Sequence, residues 1–179
     1  MRIPTARAAD AEAITEVHIA STREAYRDLF AAEELARIDA RDRADRWREH
    51  LTEGSSITLL AEVDGRITGF VSFGACRDED VSPEEVGEVM AIYVHPDVWG
   101  RGVGEGLMRA ALARLRSGGS AEVVLWVIEA NRRAFGFYER LGFKPDGSVR
   151  LREMLGKPTA IVRLRLQLEE FAQGRQGSS

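Results

Sequence analysis

Apolar residues recur at two periods along this chain, and the changes from one to the other mark out its elements. Ile14, Val17, Ser21, Ala25 and Leu29 return every three or four positions, the spacing of one helical face. Asp10 stands just before them as a helix cap. A second helical stretch is predicted from about Ala32 to Leu51, broken near Asp39–Asp42, with Trp47 and Leu51 on one face. The period then shortens. SITLLAEV (56–63) and RITGFVSF (66–73) are strand-like and rich in β-branched residues, and Asp64-Gly65 between them is a hairpin signal. RIPTARAA (2–9) reads as a short strand ahead of the first helix.

The second half alternates element types. RDEDVSPEEVGE (77–88) is acidic and contains Pro83, which predicts a surface loop, read as a solvated connection in preference to a substrate-facing one. EVMAIYV (88–94) follows as a strand. Val103, Leu107, Ala111 and Leu115 then form a helical stripe that SGG (117–119) ends. AEVVLWVI (121–128) is a near-continuous apolar run, as expected of a strand buried on both faces. NRRAFGFYERL (131–141) is a short helix with Asn131 as its cap and Gly142 as its stop. Strands near SVRLREM (148–154) and AIVRLRLQL (160–168) complete the order, which is α+β with a β-α-β-α unit in its second half. Residues 1–170 are expected to form one domain, and 171–179 a disordered tail.

Composition narrows the function classes. The chain has 179 residues, 44% hydrophobic and 30% charged, as in an ordinary globular protein. A net charge of −4 provides no general attraction to nucleic acid or an anionic membrane. No apolar run approaches the 18 residues of a membrane span. The single cysteine, Cys76, excludes an internal disulfide and fits a cytoplasmic location; it reads as an inert thiol near a strand end. His18, His50 and His95 lack metal-ligand spacing, so no metal is expected.

The sharpest chemical signal is WGRGVG (99–104), set between the strand EVMAIYV and the helix EGLMRAALARLR. The first N–H groups of a helix have no partner within it, and they carry the positive end of its dipole. A pyrophosphate can accept from several of them if no side chain blocks its approach. Gly100, Gly102 and Gly104 would clear that space, and Arg101 adds a cation; a turn packed closely on a sheet would explain the glycines equally well. The G-x-G-x-x-G pattern fails, because Glu105 or Leu107 occupies the sixth position, and no Gly-Lys-Ser/Thr of a P-loop occurs.

AIYVHPDVWGRGVGEGLM followed by NRRAFGFYERLGF resembles the GNAT superfamily of acyl-CoA N-acyltransferases. The first stretch is similar to its R/Q-x-x-G-x-G/A motif, except that Trp99 stands where Arg or Gln is usual; its backbone N–H is expected to stay available. The resemblance covers roughly residues 88–143. It implies a mixed, mostly antiparallel sheet of six or seven strands with splayed central strands and about four helices. It implies transfer of an acetyl group from acetyl-CoA to a primary amine of a small molecule or peptide, by direct attack in a ternary complex. Acylation of a protein N-terminus or lysine, or a non-catalytic CoA-binding module, are the alternatives. A homodimer is implied as well.

Such a reaction makes three demands. An alkylamine of pKa about 10.4 is neutral only to a few parts in ten thousand at pH 7, a deficit of roughly 4–5 kcal/mol, so a base must take its proton. The developing oxyanion needs an N–H donor, and the departing thiolate needs a proton. The resemblance assigns Glu88 as the base, commonly through water, with Glu85 a weaker rival; an exposed strand-end glutamate is the other reading of Glu88. It assigns backbone groups of Ile92, Tyr93 and Val94 to the pantetheine arm and thioester. It assigns Trp99, Gly100, Arg101, Gly102, Val103, Gly104 and Glu105 to the pyrophosphate, Asn131 to the cofactor arm besides its cap, and Tyr138 as the acid for the thiolate. Without its motif, Tyr138 would read as a core aromatic; Trp126 reads as core or as a pocket wall, with core favoured. Arg23, Tyr26 and Trp47 are candidate acceptor-lining residues, and a core or solvated-face position explains them equally well.

Overall fold

A computed structural model describes residues 1–169; the tail expected at 171–179 lies outside them. The described residues form five α-helices and six strands: α1 (Ala11–Ala25), α2 (Ala32–Ala36), α3 (Ala40–Glu53), β1 (Ile57–Val63), β2 (Arg66–Ala75), β3 (Val86–Val94), α4 (Val103–Ser117), β4 (Glu122–Ile128), α5 (Arg132–Arg140), β5 (Lys144–Met154) and β6 (Lys157–Gln167). The strands make one mixed sheet in the order β1-β2-β3-β4-β6-β5. Chain contacts cluster into two compact units, and β3 and α4 contribute residues to both.

The first unit comprises Met1–Gly74 and Met90–Ala111. Its hairpin turns on Asp64 and Gly65 at φ 51° and 76°, the paired left-handed conformation of a tight two-residue turn. The expected N-terminal strand is reduced to two bridges, Arg2 with Glu62 and Thr5 with Leu59. Pro4 interrupts it, having no N–H to offer a ladder. Asp10 does not cap α1. Its carboxylate accepts instead from the Arg7 N–H at 2.8 Å, closing the turn ahead of the helix. Leu29 lies beyond the end of α1. The predicted long second helix is two helices, because Asp39 caps α3 by accepting from the N–H groups of Arg41 (2.8 Å) and Asp42 (3.0 Å). Ile14, Val17, Leu60 and Phe70 form the unit's apolar centre, with Trp47 and Tyr93 packed against it.

The second unit comprises Ala75–Val89 and the described residues from Leu112 onward. Here β3 runs parallel to β4 over Val86–Val89 against Glu122–Leu125, and the register ends there although both strands continue. The residues of β3 inside that ladder are buried, while Met90–Val94 are only half-buried. On its other flank β4 pairs along its whole length with Ile161–Gln167 of β6. Helix α4 stops as predicted. Gly119 takes φ 101°, its N–H donates to the Arg116 carbonyl, and the Ser120 N–H reaches back to Leu115.

Candidate functional site

The loop between β3 and α4 is anchored at one end and open at the other. The Trp99 N–H donates to the Pro96 carbonyl at 3.1 Å, so it is not available to a phosphate as expected. The Trp99 indole N–H donates to the Val94 carbonyl at 2.7 Å, tying the loop to the end of β3. Past this anchor the backbone turns left-handed at Gly100 (φ 76°) and Gly102 (φ 79°). A Cβ at either position would meet nothing within 4 Å, so the glycines serve conformation and leave open space rather than permitting close packing. The first bond of α4 runs from the Gly106 N–H to the Gly102 carbonyl at 2.9 Å. Among the described residues, the N–H groups of Gly100, Gly102, Val103, Gly104 and Glu105 donate to no backbone acceptor. Arg101 beside them is exposed and forms no ion pair among the described residues, while Glu105 is paired with Arg109 at 2.7 Å. Five N–H groups at the start of a 15-residue helix, with open space and a cation beside them, fit a pyrophosphate.

Glu88 is not an exposed strand end. It is buried, and its two oxygens accept from Nε and Nη2 of Arg77, each at 3.1 Å. Its rival Glu85 is exposed. Burial pushes the Cys76 thiol up, in keeping with an inert cysteine. On α5, the Asn131 side chain accepts from the Ala134 N–H at 3.1 Å, the predicted cap. Tyr138 is buried, its ring 5.3 Å from that of Phe137 and 6.0 Å from that of Phe143.

The 77–85 connection is not simply solvated. The buried Asp78 carboxylate accepts from the Trp126 indole (2.9 Å), Arg150 (2.7 Å) and Arg163 (2.9 Å). Arg163, 4% exposed, also donates to Asp80 and Asp146. Trp126 is therefore a polar anchor rather than core, with the Arg150 guanidinium 3.5 Å over its ring. Burial alone would raise the Asp78 carboxyl, but the donors from Arg150, Arg163 and Trp126 outweigh it and hold it low. The Arg163 hydrogen bond takes Asp80 down to about 2.

One constellation escaped the sequence reading. His18 of α1 meets Trp47 and Arg43 of α3 and Tyr93 of β3. The Trp47 indole donates to His18 Nδ1 at 3.2 Å, and the Tyr93 ring lies 4.2 Å from the imidazole. Burial, reinforced by the Arg43 charge, lowers His18 to about 3. The available signal was the spacing of Arg43, Trp47 and His50, which puts all three on one face of α3.

Comparison with known proteins places this geometry. The pattern of the acetyltransferase (GNAT) family matches residues 19–143. An uncharacterised N-acetyltransferase of Methanocaldococcus jannaschii is 38% identical over 86 residues, 48% of this chain and 38% of that protein. An L-amino acid N-acyltransferase of Escherichia coli is 28% identical over 174 residues, 95% of each chain. The structure of yncA from Salmonella typhimurium, solved with its cofactor acetyl-CoA, superimposes with a TM-score of 0.69 at 26% identity and 94% coverage of both chains. The chain belongs to the GNAT family, and its class is that of an acetyl-CoA-dependent acyltransferase. Among the described residues no group of three His, Cys, Asp or Glu is placed to hold a metal, and no helix is long and apolar enough to cross a membrane.

Proposed function

We propose that this chain moves the acetyl group of acetyl-CoA to a primary amine of a small molecule, by direct attack with both substrates bound. The observation that carries the reading is the set of five N–H groups from Gly100 to Glu105 that donate to no backbone acceptor at the start of α4. They hold the pyrophosphate, with Arg101 adding charge at its edge. Backbone groups of Ile92, Tyr93 and Val94, in the part of β3 beyond its ladder with β4, take the amides of the pantetheine arm and polarise the thioester carbonyl. The Tyr138 hydroxyl gives its proton to the departing sulfur, and Asn131 meets the cofactor arm while capping α5. Glu88 receives the amine proton through water, with Arg77 orienting both of its oxygens. A small-molecule acceptor is favoured over a protein because the relative matched along 95% of both chains is named for amino acids. Membership of the family supports a cytoplasmic homodimer, which light scattering reads directly.

Calorimetric titration of acetyl-CoA, with NADPH as control, tests the loop. Micromolar binding blocked by free CoA is expected, and its absence removes the acyltransferase reading. Tyr138→Phe tests the chemistry. It should keep acetyl-CoA affinity while thiol release falls by about 10²- to 10⁴-fold. An unchanged rate would remove Tyr138 from its role.

A further inference from the structure

Arg43 is a half-buried arginine without a carboxylate. Among the described residues its guanidinium enters no ion pair, whereas its neighbours Asp42 and Asp45 are matched with Arg46 and Arg48. Its nearest partner is His18, an odd choice for a cation. Nη1 of Arg43 stands 3.0 Å from His18 Nε2 and 3.4 Å from Nδ1. An atom on the axis of either ring lone pair would lie far from the other nitrogen. Nη1 therefore lies over the imidazole face, off the lone-pair axis of both nitrogens. Nδ1 already accepts from the Trp47 indole, which is a donor only. The neutral imidazole consequently carries its proton on Nε2. The Arg43 fork and the His18 Nε2–H thus stand side by side, and among the described residues no carboxylate accepts from either.

What belongs there is an anion with two oxygens, and the guanidinium fork matches a carboxylate bidentately. The surrounding surface is aromatic. Trp47 and Tyr93 are each half-buried, and the His18 ring lies 4.2 Å from that of Tyr93. Tyr93 also belongs to the stretch of β3 assigned to the thioester. A carboxylate held by Arg43 thus lies within a few bonds' reach of that stretch, with the hydrocarbon part of its molecule against the two rings.

We propose that Arg43 and His18 form a carboxylate-binding subsite, and that the acceptor is an amino acid whose carboxylate docks there. The proposal rests on the acetyl-transfer reading for the meaning of the bound amine, but the subsite can be tested without turnover. L-Phenylalanine, L-leucine and L-methionine, and the primary amide of each, are titrated calorimetrically into the full chain, with and without CoA. At least one acid should bind about 10- to 100-fold more tightly than its amide. Arg43→Gln should abolish that preference and Arg43→Lys should restore part of it. Binding of acid and amide alike, binding of none of the six, or a preference that survives Arg43→Gln overturns the subsite. Should Arg43→Gln fail to fold by circular dichroism, the acid–amide comparison on the native chain decides alone. The same six compounds are then assayed for thiol release. Carboxylate-selective binding without turnover keeps the subsite and removes acetyl transfer. Turnover indifferent to the carboxylate does the reverse.

Discussion

A single glycine shows how conformation and ligand binding share a residue here. Gly102 sits at φ 79° with open space around it, so alanine there would meet no neighbour but would carry the strain of a left-handed residue, about 1–2 kcal/mol. Its methyl group would also project beside the N–H groups proposed for the pyrophosphate. Gly54, at φ 67° and equally unobstructed, ends α3 away from that loop. Gly102→Ala and Gly54→Ala should therefore lower the melting temperature by similar amounts, while only Gly102→Ala weakens acetyl-CoA binding, by tenfold or more. Equal affinities in the two variants would show that the glycine serves the turn alone. The glycine spacing was legible because a positive φ leaves a local compositional trace. The use of the Trp99 N–H by Pro96 was not, since a backbone bond within a turn leaves none.

At the level of elements, the connection from β2 to β3 is held by charge. Arg163 projects from β6 into a ring of Asp78, Asp80 and Asp146, and stands 2.9 Å from the Ser148 hydroxyl. A buried ion network contributes little relative to a well-packed apolar one, yet removing one partner strands the others. Arg163→Met should therefore cost about 3–5 kcal/mol in urea unfolding, because Asp78 and Asp146 lose the buried cation they share and keep only Arg150 and Arg165. A loss below about 1 kcal/mol would show that the loop relaxes and solvates the acids. The sequence pattern suggested a solvated loop because composition registers the charges of Asp78 and Asp80 but not their partner 83 to 85 positions away. Elements specified by their own residues fared better: the Asp64-Gly65 hairpin, the α4 stripe and the Asn131 cap all appear where the pattern put them. The N-terminal strand failed because its pairing depends on β1, some 55 residues on, and on the place of Pro4.

The response of the whole chain to acid follows from His18. Its pKa is about 3 in the folded chain, against an ordinary 6.5 when unfolded. Between those values the unfolded chain holds a proton that the folded chain refuses. Stability is therefore complete above about pH 6.5 and falls as pH drops toward 3, by up to about 1.4 kcal/mol per unit. The lowered carboxyls of Asp78, Asp80 and Asp146 act in the same direction, but only from the ordinary carboxylate range downward. His18→Gln should therefore flatten the melting temperature between pH 6.5 and about 4.5 while leaving the steeper loss below pH 4. A variant as acid-sensitive as the native chain in that interval would rule His18 out. The family signature was legible because its motifs lie in two continuous stretches. The His18 cluster joins residues 25 and 29 positions apart on two helices, and the spacing of Arg43 and Trp47 marks a shared face of α3 without saying that His18 meets it.

The indole that ties the glycine loop to Val94 has an optical consequence. The chain has three tryptophans, and Trp99 is the one seated on the proposed phosphate loop. With Trp47 and Trp126 replaced by phenylalanine, the tryptophan emission under ultraviolet excitation would come from that loop alone. Adding CoA should then change its intensity or colour, turning the native departure from the family motif into a label-free reporter of cofactor arrival and release.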